Sequence, residues 1–329
     1  MRFLTNLVVL GVLAGRLQAQ SVLNGPTLGF TADNGGTSIR PILGIPGASL
    51  LGSRLALDVN IRDVAISPSQ DYAITVRAED SQLLLLDLRS GTPIVTAIAG
   101  THRGSNLIAV SPAGKAVAVY NYPSKQLQVI GNLATAPQVV YETDASVVSG
   151  RVRQVAVSDD GTRALVRSVE TENAVLWAFD SSGTAWQIAA DRPVDAAFLP
   201  NSTDVILVDD SSQSAVLIRD VAQTATRLSV VSVEDGIGSF SAVAASEDGR
   251  RVFLADEKSG NVAVVDLETR QHALLSCGCE ATGFYKLKGN AVFGLSAASS
   301  EPIMVLDASS REPRIFIIPP VVSQVGEAQ

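Results

Sequence analysis

The sequence predicts an all-β fold, a seven-bladed β-propeller with four-stranded antiparallel blades and a ring closed between the N-terminal and C-terminal segments. The first observation is a repeat: six times, a short apolar run ends at a turn, and a second run ends at another turn 20 to 22 residues later. Successive copies lie 40 to 47 residues apart, which is the period of a four-stranded blade rather than of a helical repeat. The second observation is that helical spacing is absent, because apolar residues come in short runs with turn residues every 8 to 12 positions.

A third observation concerns the first run of each copy, which ends at an anchor residue. The six anchors are Ser67, Ser111, Ser158, Leu199, Ser246 and Lys286, and the second runs end at Asp87, Gly131, Asp180, Asp220, Asp266 and Asp307. Two residues before the first anchor stand Ala65, Ala109, Ala156, Ala197 and Ala244 in five copies, and Phe284 in the sixth. Small side chains at one phase are what innermost strands need where they converge on a common axis.

Each copy reads as four strands joined by hairpins. In the first full copy the strands are residues 63–67, 72–77, 82–87 and 93–99, each rich in branched residues and bounded by turn residues. The same plan starts again near residues 107, 154, 195, 242 and 282. These six copies account for six blades.

The segment before the first full copy predicts the remaining blade. Residues 27–32, 38–44 and 50–57 read as strands, with a turn at 34–36, so this blade spans about 27–57 and lacks an innermost strand. We expect the C-terminal segment 321–325, after the Pro319-Pro320 turn, to supply that strand and so to remove exposed sheet edges. Six blades with an irregular cap is the alternative.

The N-terminus has the features of a signal peptide. Arg2 precedes an apolar stretch of about 12 residues, which is short for a membrane span of roughly 20, and a small residue, Ala19, follows. We expect cleavage after residue 19, which leaves residues 20–329 as a single propeller domain that is exported to the periplasm or the extracellular space and not inserted in the membrane. An uncleaved N-terminal anchor is the alternative.

The charge balance narrows the class of partner. The formal net charge is -8, or -10 once Arg2 and Arg16 are removed, and the pI is near 4.9. An acidic surface argues against nucleic acid or an anionic membrane as partner, while it permits cations or basic partners. We expect a monomer.

Two copies carry a family resemblance. Residues 155–161 read Val-Ala-Val-Ser-Asp-Asp-Gly and residues 243–249 read Val-Ala-Ala-Ser-Glu-Asp-Gly; Val-Leu-Trp-Ala-Phe-Asp and Val-Ala-Val-Val-Asp follow further along the respective copies. This pattern resembles the YVTN-type seven-bladed propeller repeats of exported bacterial and archaeal proteins, over nearly the whole mature chain. Lys286-Leu287-Lys288-Gly289 and Leu199-Pro200-Asn201 depart from it. The resemblance implies a fold and an exported location; such relatives include surface and periplasmic binding proteins, and the shape is shared with quinoprotein amine dehydrogenase subunits and sugar lactonases.

Catalytic motifs are scarce. The chain has only His102 and His272, which excludes a multi-histidine metal cage, and no nucleophile elbow or nucleotide-binding loop is present. We expect His272 to be structural, in a blade's fourth strand. His102 follows Gly100-Thr101 in a loop, where we expect it to be exposed; a role as a functional base is the minor reading.

Cys277-Gly278-Cys279 holds the chain's only cysteines. In an oxidising compartment we expect a disulfide between Cys277 and Cys279, because Gly278 can adopt the positive φ that brings the sulfur atoms together. Copper(I) or another soft metal held by two thiolates, and a free reactive dithiol, are the alternatives.

Acidic residues concentrate in the loops between second and third strands, which emerge on one face of a propeller. Nine acids face three bases there, so this face could hold calcium or dock a basic partner, although acids are also common in ordinary turns. The candidate binding residues are Glu79, Asp80, Asp209, Asp210, Asp256 and Glu257.

The sequence leaves two candidate functions. The favoured one is an exported non-catalytic binding or scaffold propeller that presents loops on one face to a protein, peptide or glycan. The alternative is a propeller lactonase or lyase with a carboxylate-bound divalent cation, calcium for instance, at the axial channel, with Asp209 and Asp256 among its ligands. No catalytic residue and no resident cofactor or metal can be assigned from the sequence.

Overall fold

The protein is a seven-bladed β-propeller. A computed structural model describes residues 25–104, 106–190, 192–222, 224–237, 239–295 and 302–320, which form seven antiparallel sheets in chain order. Within these ranges there is no α-helix, and hence no apolar helix of membrane-spanning length. The expected signal peptide, residues 1–19, and the expected closing strand, residues 321–325, lie outside the described residues.

The strands follow the predicted repeat closely. Blade 1 contains β1 (Thr27–Ala32), β2 (Ile39–Ile45) and β3 (Ala48–Leu51); blade 2 contains β4 (Ile61–Ile66), β5 (Tyr72–Arg77), β6 (Leu83–Asp87) and β7 (Ile94–Ala97). Blade 3 contains β8 (Asn106–Val110), β9 (Val117–Asn121), β10 (Gln126–Gly131) and β11 (Gln138–Asp144); blade 4 contains β12 (Arg151–Val157), β13 (Arg163–Glu170), β14 (Asn173–Asp180) and β15 (Ala185–Ala189). Blade 5 contains β16 (Pro193–Phe198), β17 (Val205–Asp209), β18 (Ser214–Arg219) and β19 (Thr226–Ser232); blade 6 contains β20 (Phe240–Ala245), β21 (Arg251–Asp256), β22 (Asn261–Asp266) and β23 (His272–Ser276). Blade 7 contains β24 (Tyr285–Lys286), β25 (Val292–Gly294), β26 (Ile303–Asp307) and β27 (Arg314–Ile318).

Blades 2 to 7 have four strands in sequential order, and blade 1 has three in the described part of the chain. The first strands of neighbouring blades contact one another, as β4 and β8 or β16 and β20 do, so these strands line the axis. We call the side that carries the loops from first to second and from third to fourth strands the upper face. The lower face carries the loops from second to third strands and the connections between blades.

The recurring serine anchors have a local cause. Ser67, Ser111, Ser158 and Ser246 are completely buried at the end of the first strand. Each hydroxyl accepts a backbone N–H from the start of the second strand; the Ser111 hydroxyl, for example, accepts the N–H of Ala116 at 3.0 Å. In these four blades the buried hydroxyl satisfies a backbone donor of the tight hairpin at the axis.

The core is divided among the interfaces between blades. In the described residues the buried apolar side chains form seven clusters, and each lies between two neighbouring blades. One of them joins the two ends of the chain, because Leu28 and Ile42 of blade 1 pack with Leu287 and Ile303 of blade 7. This cluster closes the ring, in agreement with the predicted fold.

Side chains also fasten neighbouring blades across the upper face. The Tyr72 hydroxyl donates to the carbonyl of Gly114 at 2.8 Å, which joins blades 2 and 3. The Asp159 carboxylate of blade 4 accepts the N–H of Ala113 at 2.7 Å and the N–H of Asn201 at 2.6 Å. Asp159 therefore bridges blades 3 and 5 on either side of its own blade.

Candidate functional site

The structure places the predicted acidic residues on the lower face, on three separate blades. Glu79 and Asp80 lie in the loop from β5 to β6. Asp209 ends β17 and Asp210 follows it, and Asp256 ends β21 and Glu257 follows it. The three pairs are therefore distributed over blades 2, 5 and 6.

The pair on blade 2 is held by neighbouring side chains. Asp80 accepts hydrogen bonds from the Arg77 guanidinium at 2.8 and 3.0 Å and forms an ion pair with Arg103 at 3.2 Å. The hydrogen bond from Arg77 is the main cause that lowers the pKa of Asp80 below its usual value. The Glu79 carboxylate accepts the side-chain amide of Asn60 at 2.7 Å.

The pairs on blades 5 and 6 differ in exposure. Asp209 caps its own loop, since its carboxylate accepts the N–H of Ser211 at 2.8 Å. Asp210 lies 3.6 Å from the Arg192 guanidinium. Asp256 is only 5 % exposed and accepts backbone N–H groups, whereas Glu257 is exposed to solvent.

The six acids are thus not gathered at one centre. Across the described part of the chain, no group of three or more histidine, cysteine, aspartate or glutamate residues lies close enough together to hold a metal ion. These residues lie on separate blades of the lower face, where Asp80 and Asp210 are paired with arginines, Asp256 is buried and Glu257 is exposed.

The cysteine pair lies on the same face. The Sγ atoms of Cys277 and Cys279 are 2.18 Å apart, at disulfide distance, and Gly278 has the positive φ of 59° that the sequence predicts. The N–H of Cys277 donates to the carbonyl of Gly260 at 2.9 Å. The pair therefore braces the loop that carries Asp256 and Glu257.

His102 is more enclosed than expected. It lies in the connection between blades 2 and 3, but its side chain is only 38 % exposed. Its Nε2 lies 2.9 Å from a Glu142 oxygen, and the Gln128 side-chain amide donates to the same oxygen at 2.6 Å. Sequence reasoning did not find Glu142 and Gln128, because they lie on strands of the next blade, 40 and 26 positions away respectively.

A second cluster missed by sequence reasoning joins the first strands of blades 4, 5 and 6. Asp195 of β16 accepts the N–H of Val243 at 2.8 Å and a hydrogen bond from the Gln154 side-chain amide. The residue is half-buried, and its carboxylate also accepts the N–H of Ala196 at 2.9 Å. Burial is the main cause that raises the pKa of Asp195 to about 6. The sequence feature that could have revealed this cluster is the carboxylate of Asp195 within an otherwise apolar inner strand.

The axis holds an apolar cavity of about 370 Å³ where blades 1, 2, 3 and 7 meet. Its wall includes Phe30, Val64, Ile66, Ile108, Tyr285 and Ile303. Lys286 also contributes to the wall, and burial lowers the pKa of its ammonium group. That ammonium donates to the carbonyl of Leu287 at 2.7 Å, so it is held by the adjacent turn.

Gln70 fastens blade 2 to both ends of the chain just above this cavity. Its Oε1 accepts the N–H of Phe30 at 2.6 Å, and its Nε2 donates to the carbonyls of Lys286 at 2.6 Å and Ser67 at 3.0 Å. It has a positive φ of 62° at the turn position where three other blades have glycine. Gly29 leaves room for this contact, since a Cβ there would lie 2.8 Å from the Gln70 Oε1.

Comparisons with known proteins show the fold and no family. No family model matches the chain, and no curated protein matches it. Similar solved structures include a functionally unknown protein from Desulfotomaculum acetoxidans, with 13 % identity, a TM-score of 0.60 and coverage of 90 % of this chain and 100 % of that one. A proposed 6-phosphogluconolactonase from Bacteroides uniformis has 14 % identity, a TM-score of 0.58 and coverage of 89 % and 96 %. Hydrazine synthase of Kuenenia stuttgartiensis has 15 % identity, a TM-score of 0.52 and coverage of 92 % and 99 %. At such identities the likeness establishes the propeller architecture alone.

Proposed function

We propose that this protein is an exported, non-catalytic binding or scaffold propeller of the YVTN type that presents its lower face to a protein, peptide or glycan. The acidic bias of that face favours a basic partner. The observation that carries the proposal is the distribution of Glu79, Asp80, Asp210 and Glu257 over three blades, without convergence on one point. Acids spread in this way match an extended basic surface better than a single cation or a reacting centre.

The fixed conformations of these acids support the same function. Asp80 and Glu79 are held by arginine and asparagine side chains, so little side-chain entropy is lost when a partner binds. The pair of cysteines braces the loop of blade 6 in the same way. A face whose side chains already hold their positions before a partner arrives loses less conformational entropy on binding.

The experiment is a charge reversal on the lower face. Asp210→Lys combined with Glu257→Lys should weaken binding to an immobilised decalysine peptide by about tenfold or more at low salt. The matched control is Glu268→Lys with Glu312→Lys, which changes the same charge at exposed positions of the upper face. An equal loss in both variants would mean that net charge alone drives binding, and the proposal would fail.

The second candidate is the lactonase or lyase. It is favoured by the structural likeness to proteins described as proposed 6-phosphogluconolactonases. Its test is hydrolysis of 6-phosphogluconolactone with and without millimolar calcium, together with a calcium-dependent rise in Tm. Both signals should disappear in Asp209→Asn with Asp256→Asn if this candidate is correct, and neither should be present if the binding function is correct.

A further inference from the structure

Blades 6 and 7 leave a groove between them on the upper face. Its volume is about 640 Å³, against about 370 Å³ for the axial cavity. One wall is formed by the turn from β20 to β21 and by the hairpin of β22 and β23, and the other wall by the turn from β26 to β27. Small-molecule sites commonly have volumes of about 300 to 1,000 Å³, so the groove has the size of a ligand site.

The pairing of strands explains which side chains of blade 6 face this groove. Arg251 lies opposite Asp266 in the sheet, as Val264 lies opposite Ala273, and all four residues line the wall next to blade 7. Arg251 is half-buried, and its Nη1 donates to the blade 7 carbonyls of Ala308 and, at 3.4 Å, Ser310. Its guanidinium therefore spans the two blades at the groove.

The two acids of the lining already accept hydrogen bonds. The Asp248 carboxylate accepts the Ser246 hydroxyl at 2.6 Å and the side-chain amide of Asn290 at 2.8 Å. The Asp266 carboxylate accepts two N–H groups of its own turn, at 2.8 and 3.0 Å. Both carboxylates thus spend acceptor capacity on holding the turns that shape the groove.

The donors of the lining are largely unused. Among the described residues no acceptor takes the N–H groups on Nε and Nη2 of Arg251, and the guanidinium of Arg311 forms no ion pair or hydrogen bond. The side chains of Gln271 and His272 also have no hydrogen-bond partner in the described part of the chain. Spare donors beside satisfied acceptors indicate a ligand that supplies acceptors.

The charge of the lining favours an anion. Three arginines, Arg250, Arg251 and Arg311, stand against the two aspartates, in a chain whose net charge is -8. Arg250 is paired with Glu268 at 2.9 Å, which leaves Arg251 and Arg311 to meet a ligand. A guanidinium presents parallel N–H groups that match the oxygen atoms of a carboxylate or a phosphate.

The rest of the lining indicates what the anion is attached to. The groove has many times the volume of about 30 Å³ that one water molecule occupies, so a single ion would not fill it. No phenyl, phenol or indole ring lines it, and hydroxyl and amide groups are common: Thr269, Gln271, Ser309 and Ser310. Such a wall suits a molecule rich in hydroxyl groups better than an apolar one.

We propose that the groove between blades 6 and 7 binds an acidic sugar, that is, a sugar that carries a carboxylate or a phosphate. Arg251 and Arg311 receive the charged group, and the hydroxyl and amide side chains of the lining receive the sugar hydroxyls. This site lies on the upper face, so it is separate from the lower-face surface proposed for a basic partner.

The first test is isothermal titration calorimetry with digalacturonate and with glucose 6-phosphate, and neutral maltose is the control ligand. At least one acidic sugar should bind with a Kd below about 1 mM, and maltose should not bind. Binding of digalacturonate alone assigns a carboxylate, and binding of glucose 6-phosphate alone assigns a phosphate. Maltose binding as tight as that of the acidic sugars, or no binding of either acidic sugar at about 10 mM, would overturn the proposal.

The second test removes a charge from the groove. Arg311→Ala should weaken binding of the acidic sugar by about tenfold, because a charge-assisted hydrogen bond is lost. The matched control is Arg314→Ala, which removes the same charge from an exposed position of the same hairpin outside the lining. It should change the affinity by less than about twofold. Equal losses in the two variants would mean that net charge alone attracts the anion, and the proposal would fail.

The third test blocks the groove without changing its charge. Ala273→Trp fills the space beside Arg251 and should abolish binding. Leu274→Trp is the control, because Leu274 lies on the opposite side of blade 6, where its Cδ1 would be 3.6 Å from a Cβ on Gly236. Circular dichroism checks that both variants keep the fold. Undiminished affinity in Ala273→Trp would place the sugar elsewhere and contradict the proposal.

Discussion

The side-chain amide of Gln70 donates a 2.6 Å hydrogen bond to the backbone carbonyl of Lys286, 216 positions further along the chain. The same side chain accepts the N–H of Phe30, so one residue of blade 2 links blades 1 and 7. Gln70 does this from a left-handed backbone conformation that costs a non-glycine residue about 1 to 2 kcal/mol. The three hydrogen bonds of its amide offset that cost.

Gln70→Leu should therefore lower the free energy of unfolding by about 3 kcal/mol, because three buried polar groups lose their partners. Gln70→Gly removes the same bonds but relieves the backbone strain, so it should cost about 1 kcal/mol less. Urea denaturation measures both, with the exposed Gln138→Leu as control. A smaller loss for Gln70→Leu than for Gln70→Gly would contradict the role assigned to this side chain.

Asp159 and Asp160 are neighbours with different partners. Asp159 accepts N–H groups of blades 3 and 5, whereas Asp160 accepts the N–H of Thr162 in its own turn at 2.9 Å. Asp159→Ala should cost about 2 to 3 kcal/mol and speed amide exchange at Ala113 and Asn201. Asp160→Ala should affect exchange at Thr162 instead. Hydrogen exchange with residue resolution checks both, and an identical pattern in the two variants would refute the bridge.

Asp195 should make stability depend on pH between about 4 and 6. Its pKa in the folded protein is raised to about 6, above its usual value of 3.8, so the folded state holds a proton that the unfolded chain has released. The free energy of unfolding should therefore fall by up to about 3 kcal/mol as the pH rises through this window, and change no further above it. Chemical denaturation at a series of pH values measures this slope.

The control for that slope is a pair of variants. Asp195→Asn should flatten it, while Asp58→Asn, at an exposed position, should leave it intact. Asp80 and Asp180 have lowered pKa values, so they change the free energy of unfolding only below about pH 4. There the free energy of unfolding rises with pH, so these acids do not mask the fall caused by Asp195. If the pH dependence persists in Asp195→Asn, then groups other than Asp195 cause it.

The cysteine pair should be oxidised in protein purified without reductant. Alkylation without reductant should leave Cys277 and Cys279 unmodified, and alkylation after reduction should label both, as mass spectrometry can determine. Because the loop is very small, the double variant with serine should lose no more than about 2 kcal/mol. Its effect should be local, with faster exchange near Gly260. Full labelling without reductant would reject the disulfide.

Much of the fold follows from local rules that a sequence displays. Ser111 and Ser158 recur because in four of the blades a buried serine hydroxyl accepts a backbone N–H at the start of the second strand. The loops that carry the acids of the lower face emerge on one side, because strand alternation decides on which side a loop emerges. The order of strands in each blade could therefore be predicted from the spacing of apolar runs and turns.

The contacts across the ring were not readable in the same way. Glu142 beside His102, and Val243 beside Asp195, depend on how one blade packs against the next, and no periodicity encodes that packing. The departures from the repeat were the available signal. Gln70 stands where Gly114, Gly161 and Gly249 stand in other copies, and Asp195 puts a charge among apolar residues.

The contact between Leu28 and Lys288 has a consequence for biosynthesis. The first blade leaves the ribosome long before the turn that covers it, since 260 positions separate the two residues. During that interval the inner edge of β1 has no lasting partner from blade 7, and an uncovered strand edge attracts other chains. Chaperones that shield a nascent chain should therefore matter most for the strands of blade 1, and aggregation should begin there when synthesis stalls.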